Sequence, residues 1–548
     1  MKAYKKIIFI ATGTIVGLVA SAFVTDQYFE ISKNLDIFST AYKEVNTYYV
    51  DEIEPGKLVR AGIDGMLNSL DPYTNFYSEA EIEDARFLTT GEYGGIGASV
   101  VQHGEYVMVA ELYEGAPAQK VDLRSGDIIL DVDGKSTRNK NSGDISKMLK
   151  GQAGTEITLR IKRDNETIIR KIKREEIKLK NVPFSGILQD NIAYIKQTGF
   201  TNDAGKEVRD ALDELKKTGK IKGVILDLRG NPGGLLHEAV NVVNCFVDRG
   251  QLVVNTRGKV KEWDKEYRTL DAGLELEMPL VVLTSRGSAS ASEIVAGTIQ
   301  DLDRGVIIGQ RSFGKGLVQN TRPLTYNTQM KITIAKYYTP SGRCIQALDY
   351  SHRNDDGSVG KVPDSLTHAF KTKGGRVVKD GGGIQPDVLV DVSKMSAIAK
   401  SLYEKDIIFE FANKYRNNHS VILPASEYNL NENEWEEFLK FIADKDYQYI
   451  TETEKELNAM KQKAEEEKYF EAIKTDYESL KKKLSHDKIA DLDKARNEII
   501  ELLELEITKR YYYQRASIES SFDDDQDIKT AIEVLHDTKR YDAILKAK

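Results

Sequence analysis

The chain has 548 residues, 40% hydrophobic and 30% charged, and a formal net charge of -8 at pH 7. A single hydrophobic core rarely grows past about 250 to 300 residues, so more than one domain is expected. The acidic balance, without a sustained Lys/Arg stripe, argues against nucleic acid as the main partner. Cys245 and Cys344 permit one disulfide at most, and the seven histidines are scattered without ligand spacing, so no metal or organic cofactor is expected.

The first residues read as an address. Lys2, Lys5 and Lys6 precede the uncharged run Ile7 to Val24, a bias that keeps the N-terminus in the cytoplasm and exports the rest of the chain. Ala20-Ser21-Ala22 offers a cleavage site, so residues 1–25 are a signal anchor or a signal peptide. The run is long for a signal peptide, which favours an anchor that contacts the membrane through residues 7–24. The expected location is extracytoplasmic, in the cell envelope.

Residues 31–86 carry two helical stripes, Leu35, Phe38, Tyr42, Val45 and Tyr49, then Leu58, Gly62, Ile63, Met66, Leu67 and Leu70. Asp71-Pro72-Tyr73-Thr74 stops the second. A helical pair packed on the next domain is expected. Residues 87–178 then change to short strands and glycines: Tyr93-Gly94-Gly95-Ile96-Gly97-Ala98, the alternating run Tyr106 to Glu111, Gly115-Ala116-Pro117-Ala118, and Ser125-Gly126-Asp127. This order resembles a PDZ domain. The resemblance implies that Gly95, Ile96 and Gly97 turn backbone N–H groups toward a peptide's terminal carboxylate, while Ile145, Met148 and Leu149 help line an apolar pocket. A nucleotide loop would need a glycine turn opening a helix, whereas this one leads into a strand.

Residues 179–392 alternate strands and helices, which indicates an α/β layer. Strand Gly223 to Leu228 runs into Asp227-Leu228-Arg229-Gly230-Asn231-Pro232-Gly233-Gly234, where glycines let the backbone approach a substrate carbonyl. Asp227 and Arg229 read as a structural ion pair. The strand Pro279 to Thr284 leads through a tight turn to Ser290 and a helix from Ser292 to Leu302. A serine there is either an exposed nucleophile beside helix N–H groups or, with Glu293 three residues on, half of a capping box. Lys315, between Gly314 and Gly316, is the second chemical candidate, because a buried lysine loses its proton and becomes a base.

Ser288-Ala289-Ser290-Ala291-Ser292-Glu293-Ile294 followed by Ser312-Phe313-Gly314-Lys315-Gly316-Leu317-Val318-Gln319 resembles the signature of the C-terminal processing (tail-specific) peptidases. Tyr338-Thr339-Pro340-Ser341-Gly342-Arg343 and Gly383-Ile384-Gln385-Pro386-Asp387-Val388 match as well, and the helical segment is similar to that family's N-terminal helices. The resemblance implies a crotonase-like α/β core with an inserted PDZ domain, Ser290 as nucleophile, Lys315 as base and Gln319 orienting the lysine. One oxyanion donor is assigned to the glycine loop, Gly234 in preference to Gly233, and the other to the N–H of Ala291. Protein substrates with exposed C-terminal tails would be the partners. The competing readings are a Ser/His hydrolase using His237 and an inactive scaffold that binds tails.

Beyond residue 395 the composition shifts to charged helices, with Trp435, Phe438, Leu439 and Ile442 on one face and Leu492, Ala495, Ile499, Leu502 and Ile507 on another. Residues 396–548 are expected to form an all-α extension for self-association, adaptor docking or tethering. Tyr511, Tyr512 and Tyr513 read as core and interface aromatics.

Overall fold

A computed structural model describes residues 28–354, 356–391, 394–484, 488–522 and 525–546. The Ile7 to Val24 run lies outside them, and among the described residues no helix is long and apolar enough to cross a membrane. The chain forms two compact units: the described residues up to Glu79 with Gln319–Thr333, and Ala80–Val318 with Ile334 onward.

In the first unit residues 28–48 are helical, and α1 (Pro55–Asn68) starts at a proline, whose fixed φ suits a first helical turn. The two helices touch at Gly62, where an added Cβ would lie 3.1 Å from the Phe38 ring. Leu35, Phe38, Val45 and Tyr49 stay exposed. Asp71 ends the helical stretch with a local turn, its Oδ1 accepting the N–H groups of Tyr73 and Thr74 at 2.8 and 2.9 Å. β1 (Asn75–Tyr77) pairs antiparallel with the start of the strand Gln329–Tyr338, Asn75 opposite Lys331.

The second unit begins with the domain of short strands expected over residues 87–178. β2 (Glu92–Gly95) pairs with β8 (Glu175–Lys178). Between them an antiparallel sheet runs β3 (Ala98–His103), β4 (Tyr106–Leu112), β5 (Ile128–Val132), β6 (Glu156–Arg163) and β7 (Glu166–Lys173), with α2 (Ser142–Leu149) beside β3. Alternate residues point inward, so Val107 and Val109, then Ile157, Leu159 and Ile161, fill one core.

The mostly parallel sheet has the order β9 (Phe184–Leu188), β10 (Ile192–Lys196), β11 (Gly223–Asp227), β13 (Leu280–Thr284), β14 (Val306–Gly309) and β15 (Val388–Leu389). β9 runs antiparallel and the rest are parallel. Its strands are apolar on both sides, as strands covered on both faces must be. Val224, Leu226 and Val282 pack under α3 (Ala204–Lys217), α4 (Leu236–Phe246) and α5 (Ala291–Asp301). β12 (Leu252–Gly258) leaves this sheet to pair with the end of Gln329–Tyr338.

The opposite face carries Ile225, Val281, Leu283, Val306 and Ile308, and it is covered by Ile528, Ala531, Val534 and Leu535 of α7 (Gln526–His536) with Tyr541 of α8 (Thr538–Leu545). The stretch expected as one extension is therefore divided. Ala397–Glu404, Ile407–Asn418, Glu432–Ile442 and α6 (Arg496–Glu519) form a helical module around Phe411, Trp435, Phe438, Ile499 and Leu503, while α7 and α8 complete the layers of the mostly parallel sheet. α6 breaks at Tyr513, whose φ is 56°. That side chain packs against the PDZ core and accepts a hydrogen bond from Gln119 Nε2 at 2.6 Å.

Candidate active site

Ser290 sits where β13 turns into α5. Ser288 locks the turn: its Oγ donates to the Leu228 carbonyl at 2.8 Å and accepts the Ser285 N–H at 2.9 Å. Ser290 itself has φ 55° and ψ -111°, a conformation non-glycine residues seldom hold without surrounding constraint. Glu293 accepts the Ser290 N–H as the acid of a capping box does, while its own N–H donates to the Ser290 carbonyl at 2.9 Å, and the carboxylate reaches further than a cap requires.

Glu293 is fully buried. Its Oε2 accepts the N–H of Ser290 at 2.8 Å and that of Lys315 at 2.9 Å, while its Oε1 accepts Gly314 N–H at 2.7 Å and Ser312 Oγ–H at 2.5 Å. Burial pushes its carboxyl up to about 7, against these four hydrogen bonds, which favour the anion. Tyr337 adds a second link: its hydroxyl lies 2.6 Å from the Lys315 carbonyl and 3.1 Å from that of Ser290. The turn carrying Ser290 and the loop carrying Lys315 are thereby held together through their backbones.

The glycine loop closes against the same turn. Gly233 has φ 97°, and an added Cβ would lie 2.6 Å from the Ala289 carbonyl and 2.9 Å from both Ser290 Cβ and Ala291 N. A side chain there would displace the serine turn. Asn231 shapes the loop: its Oδ1 accepts the Gly233 N–H at 2.9 Å, its Nδ2 donates to the Gln197 carbonyl at 3.0 Å, and its carbonyl accepts Ser292 Oγ–H at 2.9 Å. The Gly233 N–H is thus occupied. Those of Gly234 and Ala291 have no hydrogen-bond partner among the described residues.

Asp227 and Arg229, at the root of the loop, form the ion pair expected of them, 2.7 Å apart. Lys196 lies 3.1 Å from Asp227, and Tyr194 Oη donates to it at 2.7 Å. Burial alone would raise the Asp227 carboxyl, but the Lys196 and Arg229 charges and the two hydrogen bonds outweigh it and hold the group well below the usual carboxylate range.

Gln319 belongs to the first unit, where its Nε2 donates to Thr333 Oγ1 at 3.2 Å. His237 is exposed and its ring lies 3.6 Å from Glu238. In the PDZ domain the N–H groups of Ile96 and Gly97 have no partner among the described residues, whereas Gly95 is paired in β2 with Glu175. The Ile96, Ile145 and Leu149 side chains are buried in the core of this domain, and Met148 is half-buried against it. Both cysteines are free. Glu293 beyond its cap, Tyr337 and Asn231 were not singled out by sequence reasoning, and the only signal for the first was the capping spacing that already explained it.

Residues 191–351 match Peptidase family S41, residues 108–163 match a PDZ domain, and residues 398–535 match "Probable PDZ-protease, C-terminal helical domain". The chain is 36% identical over 353 residues to a carboxy-terminal-processing protease of Bartonella bacilliformis, covering 63% of this chain and 81% of that protein. It is 32% identical over 390 residues to a "Probable CtpA-like serine protease" of Staphylococcus aureus, covering 70% and 71%. The solved structure of a photosystem II D1 C-terminal processing protease is 26% identical, covers 66% of this chain and 94% of its own, and has a TM-score of 0.35. The chain belongs to peptidase family S41, among the carboxy-terminal-processing proteases. It is a serine-type peptidase with a PDZ domain and a C-terminal helical domain.

Proposed function

We propose that the protein is an endopeptidase that captures proteins by their exposed C-terminal tails and cuts near them through a Ser/Lys dyad. The observation that carries this reading is the Glu293 carboxylate, which joins the backbone of Ser290 to that of Lys315 at 2.8 and 2.9 Å. Lys315 takes the Ser290 proton, the serine attacks the scissile carbonyl, the peptide C–N bond breaks as Lys315 returns the proton to the departing amine, and water hydrolyses the acyl-enzyme ester. Gly234 and Ala291 supply the oxyanion donors, supported by their unpaired N–H groups and by the engagement of Gly233 with Asn231. Gln319 orients the lysine, and the layered sheet is assigned to the crotonase-like class. The tail's carboxylate is read by the N–H groups of Ile96 and Gly97. The cell envelope is the site of action, on the strength of the charge pattern from Lys2 to Val24.

The test is cleavage of a tail-bearing protein by single variants. Ser290→Ala, Lys315→Ala and Lys315→Arg should each abolish turnover, since arginine keeps its proton. Gln319→Ala should be slow but measurable. His237→Ala should keep most activity, and if it is dead while Lys315→Ala still cuts, the base has been misassigned.

A further inference from the structure

The helical stretch C-terminal to the PDZ and peptidase domains has no role in the proposed chemistry, yet one end of it grips the root of the glycine loop. Arg229 Nη2 is committed to Asp227, and Nη1 lies 2.7 Å from Asp525 and 2.9 Å from Asp527. These two carboxylates come from the start of α7: Asp525 caps that helix, accepting the N–H groups of Asp527 and Ile528 at 2.9 and 3.2 Å. Just before them, Phe522 packs its ring 5.1 Å from that of Tyr194, whose hydroxyl donates to Asp227. The Arg229 backbone is held too, its N–H by Asp227 Oδ1 at 2.8 Å and its carbonyl by Lys196 Nζ at 3.0 Å. Arg229 is therefore fixed from the sheet on one side and from α7 on the other, and Gly230 to Gly234 leave directly from it.

We propose that Asp525 and Asp527 are positioning residues of the peptidase, which act through Arg229 to set the Gly230 to Gly234 loop against Ser290. This rests on the reading of Gly234 as an oxyanion donor. An arginine forked between two sets of carboxylates has its guanidinium plane and direction fixed, and the residue five positions on must present its N–H to within a fraction of an ångström of a developing charge. With α7 uncharged at this point, Arg229 keeps only Asp227, and the loop root gains freedom while the nucleophile turn, held by Glu293, does not.

The experiment uses the full chain and the double variant Asp525→Asn/Asp527→Asn. Asparagine caps a helix as well as aspartate does, so α7 keeps its start while the ionic grip is lost. Steady-state kcat and KM are measured per active site, with the active-site concentration titrated so that unfolded molecules do not count. The expected result is a fall of at least about tenfold in kcat, with KM for a tail peptide within about twofold. Arg229→Met should show a similar loss, and adding the two asparagines to it should cost nothing more, because the effects travel through one residue. A fully active double variant, or losses that multiply with Arg229→Met, would overturn the proposal. Asp527→Asn alone, which leaves the cap untouched, decides the matter if the double variant does not fold: its kcat must fall with KM unchanged. Gly234→Ala and Ser290→Ala run in parallel separate this outcome from failure of the underlying reading: the new methyl at 234 would clash with the Phe200 carbonyl and displace the residue's N–H, so an active Gly234→Ala enzyme removes the oxyanion assignment whatever the aspartates do.

Discussion

Glu293 and Tyr337 bridge the same two stretches of backbone: the carboxylate accepts the N–H groups of Ser290 and Lys315, and the phenol faces their carbonyl oxygens. A hydroxyl has one proton, so Tyr337 donates to one carbonyl at a time, and the 2.6 Å contact to Lys315 is the shorter. Burial first, and then the Glu293 charge, push the Tyr337 phenol well above its ordinary value, so it remains a donor at every pH of interest. The titrating member of the pair is Glu293.

Activity should accordingly rise with pH through about 7, where the Glu293 carboxyl ionises and can accept all four donors. Stability runs the other way. The folded group is raised from 4.5 to about 7, so its contribution is fully present below about 4.5 and is lost as pH rises through 7, on the order of 3 kcal/mol in all. Glu293→Gln places an N–H2 among N–H donors, should lower kcat by about 10- to 100-fold, and should remove the inflection near 7 from the pH–rate profile. An inflection that survives in Glu293→Gln belongs to another group.

Gly233→Ala should be more damaging than its size suggests. The new methyl meets the Ala289 carbonyl at 2.6 Å in a backbone conformation with φ 97°, which costs roughly 1–3 kcal/mol in strain, and relief comes only by moving the Ser290 turn. Thermal melting should show a modest loss of stability, and kcat a loss of at least about 100-fold. A variant with unchanged kcat would mean that the loop and the turn move independently.

Tail capture is tested by amidating a substrate's C-terminus. Losing a charge-assisted acceptor for the Ile96 and Gly97 N–H groups is worth about 1.5 to 3 kcal/mol, or roughly 10- to 100-fold in KM. Equal KM values for free and amidated tails would show that the loop does not read the carboxylate.

Export is tested in spheroplasts, where externally added protease should digest the chain from Asp26 onward. Complete protection would place the peptidase on the cytoplasmic side, and the N-terminal sequence of the mature protein would separate an anchor from a cleaved signal.

Local structure was legible in the sequence where it depends on close spacing. Ser290 with its helix, the glycines at 233 and 234, and the turn at Asp71 each follow from residues within a few positions of one another. Long-range partners were not. The pattern of Ile528, Ala531, Val534 and Leu535 shows a helix that covers something, but periodicity does not say that the something is Ile225 and Val281. The same limit applies to α2, where Ile145, Met148 and Leu149 share a face that reads equally as core or pocket, and the sequence does not name the strands they pack against. Glu293 was hidden differently: the capping spacing accounted for it completely, so nothing asked for its three further donors.

The covering of the peptidase sheet by α7 and α8 sets a schedule for the protein's own synthesis. Tyr541 Oη accepts the Leu280 N–H at 3.0 Å across 261 residues of chain. At roughly 5–20 residues per second, that interval takes on the order of ten to fifty seconds. Through it, one apolar face of the sheet waits uncovered and Arg229 waits without Asp525 and Asp527. The nascent chain thus carries Ser290 and Lys315 well before the helices that cover this face of their sheet have been made.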